Sequence, residues 1–565
     1  MSNYKTDYER WLSCELLSES EKQELLSIKD NETEIEERFY RELEFGTGGL
    51  RGILGMGKNR MNIYNVRRAA QGVAKYVKDA GNADKGVLIG YDTRNFSHTF
   101  AEETAKVLAA NGVKAYLFDC VHAVPQVSFG IRYLGTAAGV MITASHNPKE
   151  YNGFKGYGPD GGQFPPEAAD IVLKAIESYD IFADVKVMDL DEAKAKGLVE
   201  MVGRDFDEAY IETIKKEQVN PDVIGEVADE MKLVYTPLHG SGARPVKAIL
   251  DRIGFKNVFV VKEQDNEDGN FPTVQSPNPE NAEGFTIAID LAKKNDVDLI
   301  IGTDPDCDRV GIVVRDSEGI YRTLTGNQTG ALLVEYILEA KKERGELPAN
   351  GIVVKTIVTT ELATAIADAY GMATMSLLTG FKYIGEKMTE FGITGEYSYL
   401  IGFEESYGYL VGDYARDKDG VVATMLIAEM AAYYRTKGMT LYEALQNIYK
   451  KYGFYRETLS SFTMPGKDGM EKMTKMLVDL RKSPITKLIG LDVANVIDYL
   501  DEGTGLPKSN VLKYELSDGK TYFFIRPSGT EPKIKLYVGT AADSMEAATE
   551  ITDAVTKEVK AILGV

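Results

Sequence analysis

Residues 139–158 read Gly-Val-Met-Ile-Thr-Ala-Ser-His-Asn-Pro-Lys-Glu-Tyr-Asn-Gly-Phe-Lys-Gly-Tyr-Gly. The short apolar run 140–142 predicts a buried strand. It gives way to small and polar residues, Thr143, Ala144, Ser145, His146 and Asn147, and stops at Pro148. Proline biases the residue before it toward extended or turn geometry, and small residues let another molecule approach the backbone. A hydroxyl at a strand's carboxyl end, with an imidazole beside it and the Lys155 ammonium further on, suits a nucleophile and its proton handlers. A Ser-His pair by itself more often serves ordinary loop hydrogen bonding, so the reading depends on the rest of the chain.

The same texture recurs outward from this stretch. Gly86-Val-Leu-Ile-Gly-Tyr91 runs into Asp92-Thr93-Arg94, a helix is expected over 100–111, and Lys114-Ala-Tyr-Leu-Phe118 follows. Strand alternating with helix predicts a mostly parallel sheet covered on both faces. Ligands bind outside the carboxyl ends of such strands, where Arg94 and Ser145 both fall. The pattern restarts at Leu233-Val-Tyr-Thr236, which runs into Pro237-Leu-His-Gly-Ser-Gly-Ala-Arg244. Val258-Phe-Val-Val261 follows, then Asp298-Leu-Ile-Ile301, which ends in Gly-Thr-Asp-Pro-Asp-Cys-Asp-Arg309. It restarts again with Ile352-Val-Val-Lys355, Thr374-Met-Ser-Leu-Leu-Thr-Gly-Phe-Lys-Tyr383 and Tyr399-Leu-Ile-Gly-Phe-Glu-Glu-Ser-Tyr-Gly408. Three units, each with a polar loop after an apolar strand, look like one architecture used three times, repeated in pattern and not in sequence.

Helices are expected at 421–434 and 441–452, after which the texture changes near Gly453. Strands at Tyr522-Phe-Phe-Ile525 and Lys533-Ile-Lys-Leu-Tyr-Val538, flanked by helices at 467–480 and 543–562, predict a smaller α+β domain. Residues 1–44 are expected to be helical, with Trp11, Leu12, Leu16 and Leu17 on one face. The fold class is α/β, with three successive similar domains of mixed, mostly parallel sheet and a smaller C-terminal α+β domain. The expected domains are 1–204, 205–322, 323–453 and 454–565.

The 565 residues are 44% hydrophobic and 27% charged, as in globular proteins with ample core. A net charge of −21 argues against a nucleic-acid surface. It leaves room for an anionic small molecule, because a basic cleft focuses its own field. No apolar run reaches membrane-spanning length, and Met-Ser-Asn-Tyr-Lys-Thr-Asp lacks a signal peptide's apolar segment. Cys14, Cys120 and Cys307 form neither a disulfide framework nor a zinc site, so a reducing, cytoplasmic compartment is expected. His98, His122, His146 and His239 include no His-x-x-x-His pair, which disfavours a zinc hydrolase.

Asp304-x-Asp306-x-Asp308 is the most informative cluster. Three carboxylates converge on one cation if the loop folds around it, and hard oxygen ligands select Mg²⁺ or Ca²⁺. The loop lacks the glycine and distal glutamate of an EF-hand. Packed together without a cation, the three acids would raise one another's pKa. Arg526-Pro-Ser528-Gly529-Thr530 offers a planar fork and flexible backbone donors to an anion, although from this loop alone a polar hairpin turn is the favoured reading. Glu404-Glu405-Ser406 supplies acceptors for neighbouring hydroxyls and is weak alone. Phe45-Gly-Thr-Gly-Gly-Leu-Arg51-Gly52 reads as a Gly-rich loop around an arginine.

Taken together, Thr143-Ala-Ser-His-Asn-Pro148, Asp304-x-Asp-x-Asp-Arg309, Gly402-Phe-Glu-Glu-Ser406 and Arg526-Pro-Ser-Gly-Thr530 stand in the order found in the α-D-phosphohexomutase superfamily. The chain resembles its phosphoglucomutase/phosphomannomutase members over nearly its whole length, from Phe45 to about Val538. The loops around Arg51 and Gly380 resemble those of the bacterial α-phosphoglucomutase and phosphopentomutase branch. The resemblance implies four domains around a central cleft, each contributing a loop. It implies that Ser145 carries a phosphoryl group, that Asp304, Asp306, Asp308 and a Ser145 phosphate oxygen hold one Mg²⁺, and that glucose 1,6-bisphosphate is the activator and intermediate.

Arg51, Arg309, Gly380, Lys382, Glu404, Ser406, Arg526, Ser528, Gly529, Thr530 and Lys535 (with Lys533 as its alternative) are then the substrate-binding residues. Lys155, Lys382 and Arg94 assist the chemistry, and His146 orients Ser145. A lysine pKa near 10.4 is too high for an efficient base, so cations such as Arg94 or Arg309 are expected to lower it. The implied partners are small phosphosugars, with no nucleic acid or membrane, in a monomer or dimer. The implied reaction interconverts glucose 1-phosphate and glucose 6-phosphate. Pentose or mannose phosphate substrates, or a catalytically silent phosphosugar-binding chain, are the alternatives. Pro305 and Cys307 depart from the family's small spacers.

Overall fold

The computed structural model describes residues 4–44, 49–463, 467–527 and 533–565. The chain begins with three short helices, Tyr4–Leu12, Glu19–Ser27 and Glu32–Phe39. Ser18 starts the second with a reciprocal capping box to Glu21. Tyr8, Trp11 and Phe39 form a small aromatic core that seats these helices on Tyr64 and Phe182 of the following domain.

The first sheet runs Gly49–Ile53, Tyr151–Tyr157, Ala138–Ile142, Val87–Tyr91, Ala115–Phe118, Val199–Val202 from edge to edge. The second runs Tyr321–Thr323, Val310–Arg315, Leu299–Thr303, Lys232–Thr236, Asn257–Val260. The third runs Ala373–Leu377, Gly351–Thr356, Ser398–Glu404, Gly408–Leu410. One plan underlies all three. A central strand pairs in parallel with a second strand on one side and with a hairpin strand on the other. That hairpin strand then turns into an antiparallel return strand. The hairpin strands Ala138–Ile142 and Leu299–Thr303 are buried throughout, which is why they read as unbroken apolar runs. Each hairpin places its polar tip at the carboxyl end of the parallel strands, so three equivalent loops face one another.

The return strands were not apparent from the sequence. Tyr151–Tyr157 contains Gly153 and Gly156, a residue type that ordinarily weakens a strand. A Cβ at Gly153 would come within 2.5 Å of the Thr143 carbonyl oxygen, and one at Gly156 within 2.4 Å of the Phe164 ring. The apolar run 374–383 also divides, into strand Ala373–Leu377 and helix Phe381–Thr394. Gly380, at φ 120°, makes the break in a conformation that side chains disfavour.

The C-terminal domain is a six-stranded sheet, Phe454–Thr463, Lys533–Ala542, Tyr522–Pro527, Leu512–Leu516, Leu491–Asp498, Lys487–Leu488, with every pairing antiparallel. Met473 and Leu477 of helix Lys467–Lys482 share one core with Val555 and Val559 of helix Met545–Leu563 against Phe523 and Ile525. Helices gathered on one face of an antiparallel sheet make this the α+β member. A continuous apolar core runs from Val127 through Ile249 to Ile401 and Leu426, joining the first three domains. No helix among the described residues is long and apolar enough to cross a membrane.

Candidate active site

Ser145 sits at the tip of the first hairpin, 4% exposed and at φ 51°. A non-glycine residue in left-handed backbone is uncommon and clusters at functional loops. Its amide donates to Thr143 Oγ1 (2.8 Å), which turns the side chain out of the sheet, and its hydroxyl donates to Asp304 Oδ2 (2.8 Å). His146 Nδ1 lies 3.0 Å from the same Oγ. Burial, then the Arg309 and Arg51 charges, holds the His146 pKa well below its ordinary value, so the imidazole is neutral.

The second hairpin tip carries the acid cluster. Asp304, Asp306 and Asp308 are all buried, and one oxygen from each lies within 4.8 Å of the others. Asp304 Oδ1 accepts the amides of Asp308 (3.1 Å) and Arg309 (3.0 Å), so the first carboxylate ties its own loop. Asp306 Oδ2 accepts from Thr143 Oγ1 (3.1 Å) and Lys155 Nζ (2.8 Å). Burial and the Asp306 and Asp308 charges push the Asp304 carboxyl well above the usual carboxylate range. Asp308 goes the other way. Burial raises it, but Lys418, Lys155 and Arg309 outweigh that and hold it below the ordinary range. Asp306 Oδ1 and Asp308 Oδ1 are buried with no hydrogen-bond partner. Buried carboxylate oxygens without a hydrogen bond, in a cluster of three carboxylates, fit a hard divalent cation. Cys307, at φ 52° and fully buried, is a packed spacer, its Sγ 3.0 Å from where a Cβ on Gly420 would lie.

The acid loop is tied to both neighbouring domains. Val124 of the first domain donates its amide to the Asp306 carbonyl, Gly420 of the third to the Cys307 carbonyl, and Val310 to the Tyr407 carbonyl, each at 2.9 Å.

The cations fall into place with one departure. Lys155, on the return strand Tyr151–Tyr157, meets Asp306 and Asp308. Burial depresses its pKa, but these two carboxylates raise it overall. The lowering by Arg94 or Arg309 expected from sequence does not occur, because the lysine faces the acids. Lys382 is lowered, and burial is the cause. Arg94 is buried, and its guanidinium donates to the carbonyls of Pro148 (2.9 Å), Tyr151 (3.1 Å), Ser145 (2.5 Å) and Asn147. That arrangement ties the Ser145 loop at four points. Arg309 pairs with Glu280 (2.5 Å), and Arg51 donates to Asn147 Oδ1 (3.2 Å).

Lys418 was missed. Arg416, Asp417, Lys418 and Asp419 are four consecutive charged residues, and all four are buried. Lys418 Nζ lies 3.3 Å from Asp308 Oδ2 and 3.0 Å from Asp417 Oδ1. Burial alone would depress its pKa, but Asp308 and Asp417 hold it well above that of an ordinary lysine. The available signal was the Asp-Gly at 419–420, because Asp419 caps the buried helix Gly420–Thr436 through the amides of Val421 and Val422.

The third hairpin brings Glu404, Glu405 and Ser406 to the same region, and the Gly380 amide donates to Glu404 Oε1 (2.9 Å). Burial and the Glu404 charge push the Glu405 carboxyl up to about 7. In the fourth domain Arg526 and Lys535 face each other across neighbouring strands. Like charges directly opposite are unfavourable without an anion between them. Burial, then Arg526, lowers the Lys535 pKa. Of the two lysines left open by the sequence, Lys535 is the one opposite Arg526. Ser528, Gly529 and Thr530, and residues 45–48 of the Gly-rich loop, lie outside the described residues.

Comparison with known proteins agrees with the four-domain fold. The alpha/beta/alpha domains I, II and III and the C-terminal domain of phosphoglucomutase/phosphomannomutase match residues 42–181, 208–319, 325–452 and 475–558. Four such domains in this order define an enzyme of the phosphotransferase and isomerase type. The chain belongs to the phosphoglucomutase/phosphomannomutase family of the α-D-phosphohexomutase superfamily. A phosphoglucomutase of Staphylococcus haemolyticus is 36% identical over 92% of this chain and 94% of its own length. One from Staphylococcus epidermidis is 36% identical over 91% and 93%. Among solved structures, parafusin of Paramecium, a phosphoglucomutase in its open form, superposes with a TM-score of 0.69 at 17% identity, covering 92% of this chain and 94% of its own. At that identity the likeness is one of fold.

Proposed function

We propose that this enzyme is a Mg²⁺-dependent phosphoglucomutase. It interconverts α-D-glucose 1-phosphate and glucose 6-phosphate through a phosphoserine at Ser145 and a glucose 1,6-bisphosphate intermediate. The observation that carries the reading is the buried, left-handed Ser145 with its hydroxyl on Asp304, beside two buried carboxylate oxygens that accept no hydrogen bond among the described residues. The names of the similar staphylococcal proteins supply the sugar.

In this mechanism the Ser145 Oγ–P bond breaks as a sugar hydroxyl oxygen bonds to phosphorus. That hydroxyl loses its proton, and Ser145 Oγ regains one when the phosphoryl group has left. Asp304, Asp306 and Asp308, with a Ser145 phosphate oxygen, would hold the Mg²⁺, which neutralises charge on the transferring group when bound. Lys155 and Lys418 bracket the acids as two fixed cations. Fixed charge aimed at a developing anion in a water-poor site is the largest lever such enzymes have. Glu404 and Ser406 take the ring hydroxyls in either orientation of the sugar. Arg526 and Lys535, with Ser528, Gly529 and Thr530, take whichever phosphate is not reacting, supported by Arg309, Arg51 and Lys382. Cytoplasmic residence belongs to the same proposal and rests on the three unpaired cysteines.

The deciding experiment compares kcat/KM for the 1-phosphates of α-glucose, α-mannose and α-ribose, with Mg²⁺ and a trace of glucose 1,6-bisphosphate. Glucose is expected to lead. A lead for ribose or mannose would move the substrate while keeping the chemistry, and no turnover on any of the three overturns the proposal. Ser145→Ala is expected to lower kcat/KM by about 10⁴-fold or more, as removal of a covalent nucleophile does. Near-normal turnover in that variant would also overturn it.

A further inference from the structure

Between the short turns Lys262–Gln264 and Ala282–Phe285, residues 265–281 form neither helix nor strand. Irregular segments longer than about 15 residues are uncommon in compact domains and tend to be functional. This one is tied down at two points by a single side chain. His239, fully buried, sets Nδ1 2.9 Å from Asn266 Oδ1 on the outgoing limb and Nε2 2.9 Å from Thr273 Oγ1 on the returning limb. Gln264 also donates to Thr273 Oγ1, at 3.0 Å. The backbone at the anchor and at the tip is held in left-handed conformations, with Leu238 at φ 47°, His239 at 63° and Phe271 at 47°. Such strain persists only where the surroundings over-determine it, and it concentrates at functional sites.

The segment belongs to the second domain, but it rests on the Ser145 loop of the first. Ser276 Oγ donates to the His146 carbonyl at 2.8 Å. Phe271, 1% exposed, places its ring 5.0 Å from the guanidinium carbon of Arg94, the residue that binds four carbonyls of that loop. Asn95 Nδ2 donates to Asn270 Oδ1 (3.2 Å), and a Cβ on Gly269 would come within 2.4 Å of the Asn95 amide nitrogen. At its far end Glu280 takes Arg309, next to Asp308. The Ser145 loop is therefore held from its own domain by Arg94 and from the second domain by Ser276. Asp304, which receives the Ser145 hydroxyl, lies in that same second domain.

We propose that residues 265–281 form a strap that sets Ser145 against the acid loop across the domain boundary, with Ser276 and Phe271 as positioning residues. The proposal rests on the phosphoserine reading given above. Neither residue touches a reacting atom. Ser276 acts through the His146 carbonyl, and Phe271 acts through Arg94.

The test uses Ser276→Ala, Ser276→Thr and Phe271→Leu in the full chain. Hydrogen exchange of the amides in 143–152 is expected to quicken about fivefold or more in Ser276→Ala and Phe271→Leu, with the unfolding temperature little changed. In Ser276→Ala, kcat should fall about tenfold, as loop misplacement does, while KM and the Mg²⁺ half-saturation stay within about twofold. Ser276→Thr keeps the hydroxyl and should restore both exchange and kcat. Unaltered exchange in the alanine and leucine variants overturns the strap, whatever the activity. Losses that track unfolding temperature and are not rescued by threonine reduce it to ordinary packing and overturn it too. A wild-type chain that transfers no phosphoryl group overturns the proposed function instead, and the exchange data still decide the strap.

Discussion

The Ser145 loop and the Asp304–Asp308 loop occupy equivalent hairpin tips in two sheets of one plan, and each contains a buried non-glycine residue in left-handed backbone. They are held by different means. The acid loop is held by backbone bonds, partly its own, since Asp304 accepts two amides of the loop and its carbonyl the Cys307 amide at 2.9 Å, and partly from the Val124 and Gly420 amides of the neighbouring domains. The serine loop depends on outside residues, four carbonyls on Arg94 and one on Ser276. On the proposed mechanism, a loop that holds a cation gains from backbone bonds that fix its carboxylates, and a loop whose serine gains and loses a phosphoryl group gains from side-chain supports that can be tuned separately from its own chemistry.

That contrast fails or sharpens under three measurements. The largest effect belongs to the acid loop. Asp308→Asn leaves Lys155, Lys418 and Arg309 without the charge they share, and uncompensated buried charge costs about 3–5 kcal/mol. The Mg²⁺ half-saturation in a turnover titration should rise about 100-fold, together with a clear loss of thermal stability. A rise below about tenfold would mean that Asp308 is not part of the cation site.

Arg94→Lys comes next. An ammonium keeps the charge beside Asp92 but lacks the planar fork that reaches four carbonyls. Expected is a fall in kcat of about 100-fold with the Mg²⁺ half-saturation within about twofold. If cation affinity falls alongside kcat, the two loops are one mechanical unit and the contrast is broken.

The smallest effect concerns the third hairpin. Glu405 has its carboxyl pushed up to about 7 by burial and by Glu404, against about 4.3 in an unfolded chain. Between these values the native state binds the extra proton. The stabilisation is therefore complete below about pH 4 and is lost as pH rises through 7. Glu405→Gln should flatten that decline by about 1–3 kcal/mol between pH 5 and 8 in denaturant titrations. An equally steep profile in the variant would show that Glu405 is not the group responsible.

What could be read from the sequence was whatever is local. The Asp304, Asp306 and Asp308 spacing, the Ser145 turn and the alternation of strand and helix each lie within a few residues of one another, and all three appear in the structure as expected. Lys418 could not be read in this way. It reaches Asp308 from 110 positions along the chain, and a charge run carries no sign of burial. The return strands were obscured by Gly153 and Gly156, which close packing requires and which composition assigns to loops. The raised pKa of Lys155 depended on which side of its strand it occupies, and that is fixed only when Met141 pairs with it.

The pairing of Met141 with Lys155 also sets a parity rule for length. Successive residues of Tyr151–Tyr157 point to opposite sides of the sheet. Phe154 fills the interior while Lys155 reaches the acids. One residue inserted between Tyr151 and Phe154 would present a phenyl ring to the carboxylates and bury an ammonium in the core. Two residues would leave both assignments intact. Insertions at this strand therefore come in even steps or abolish the site.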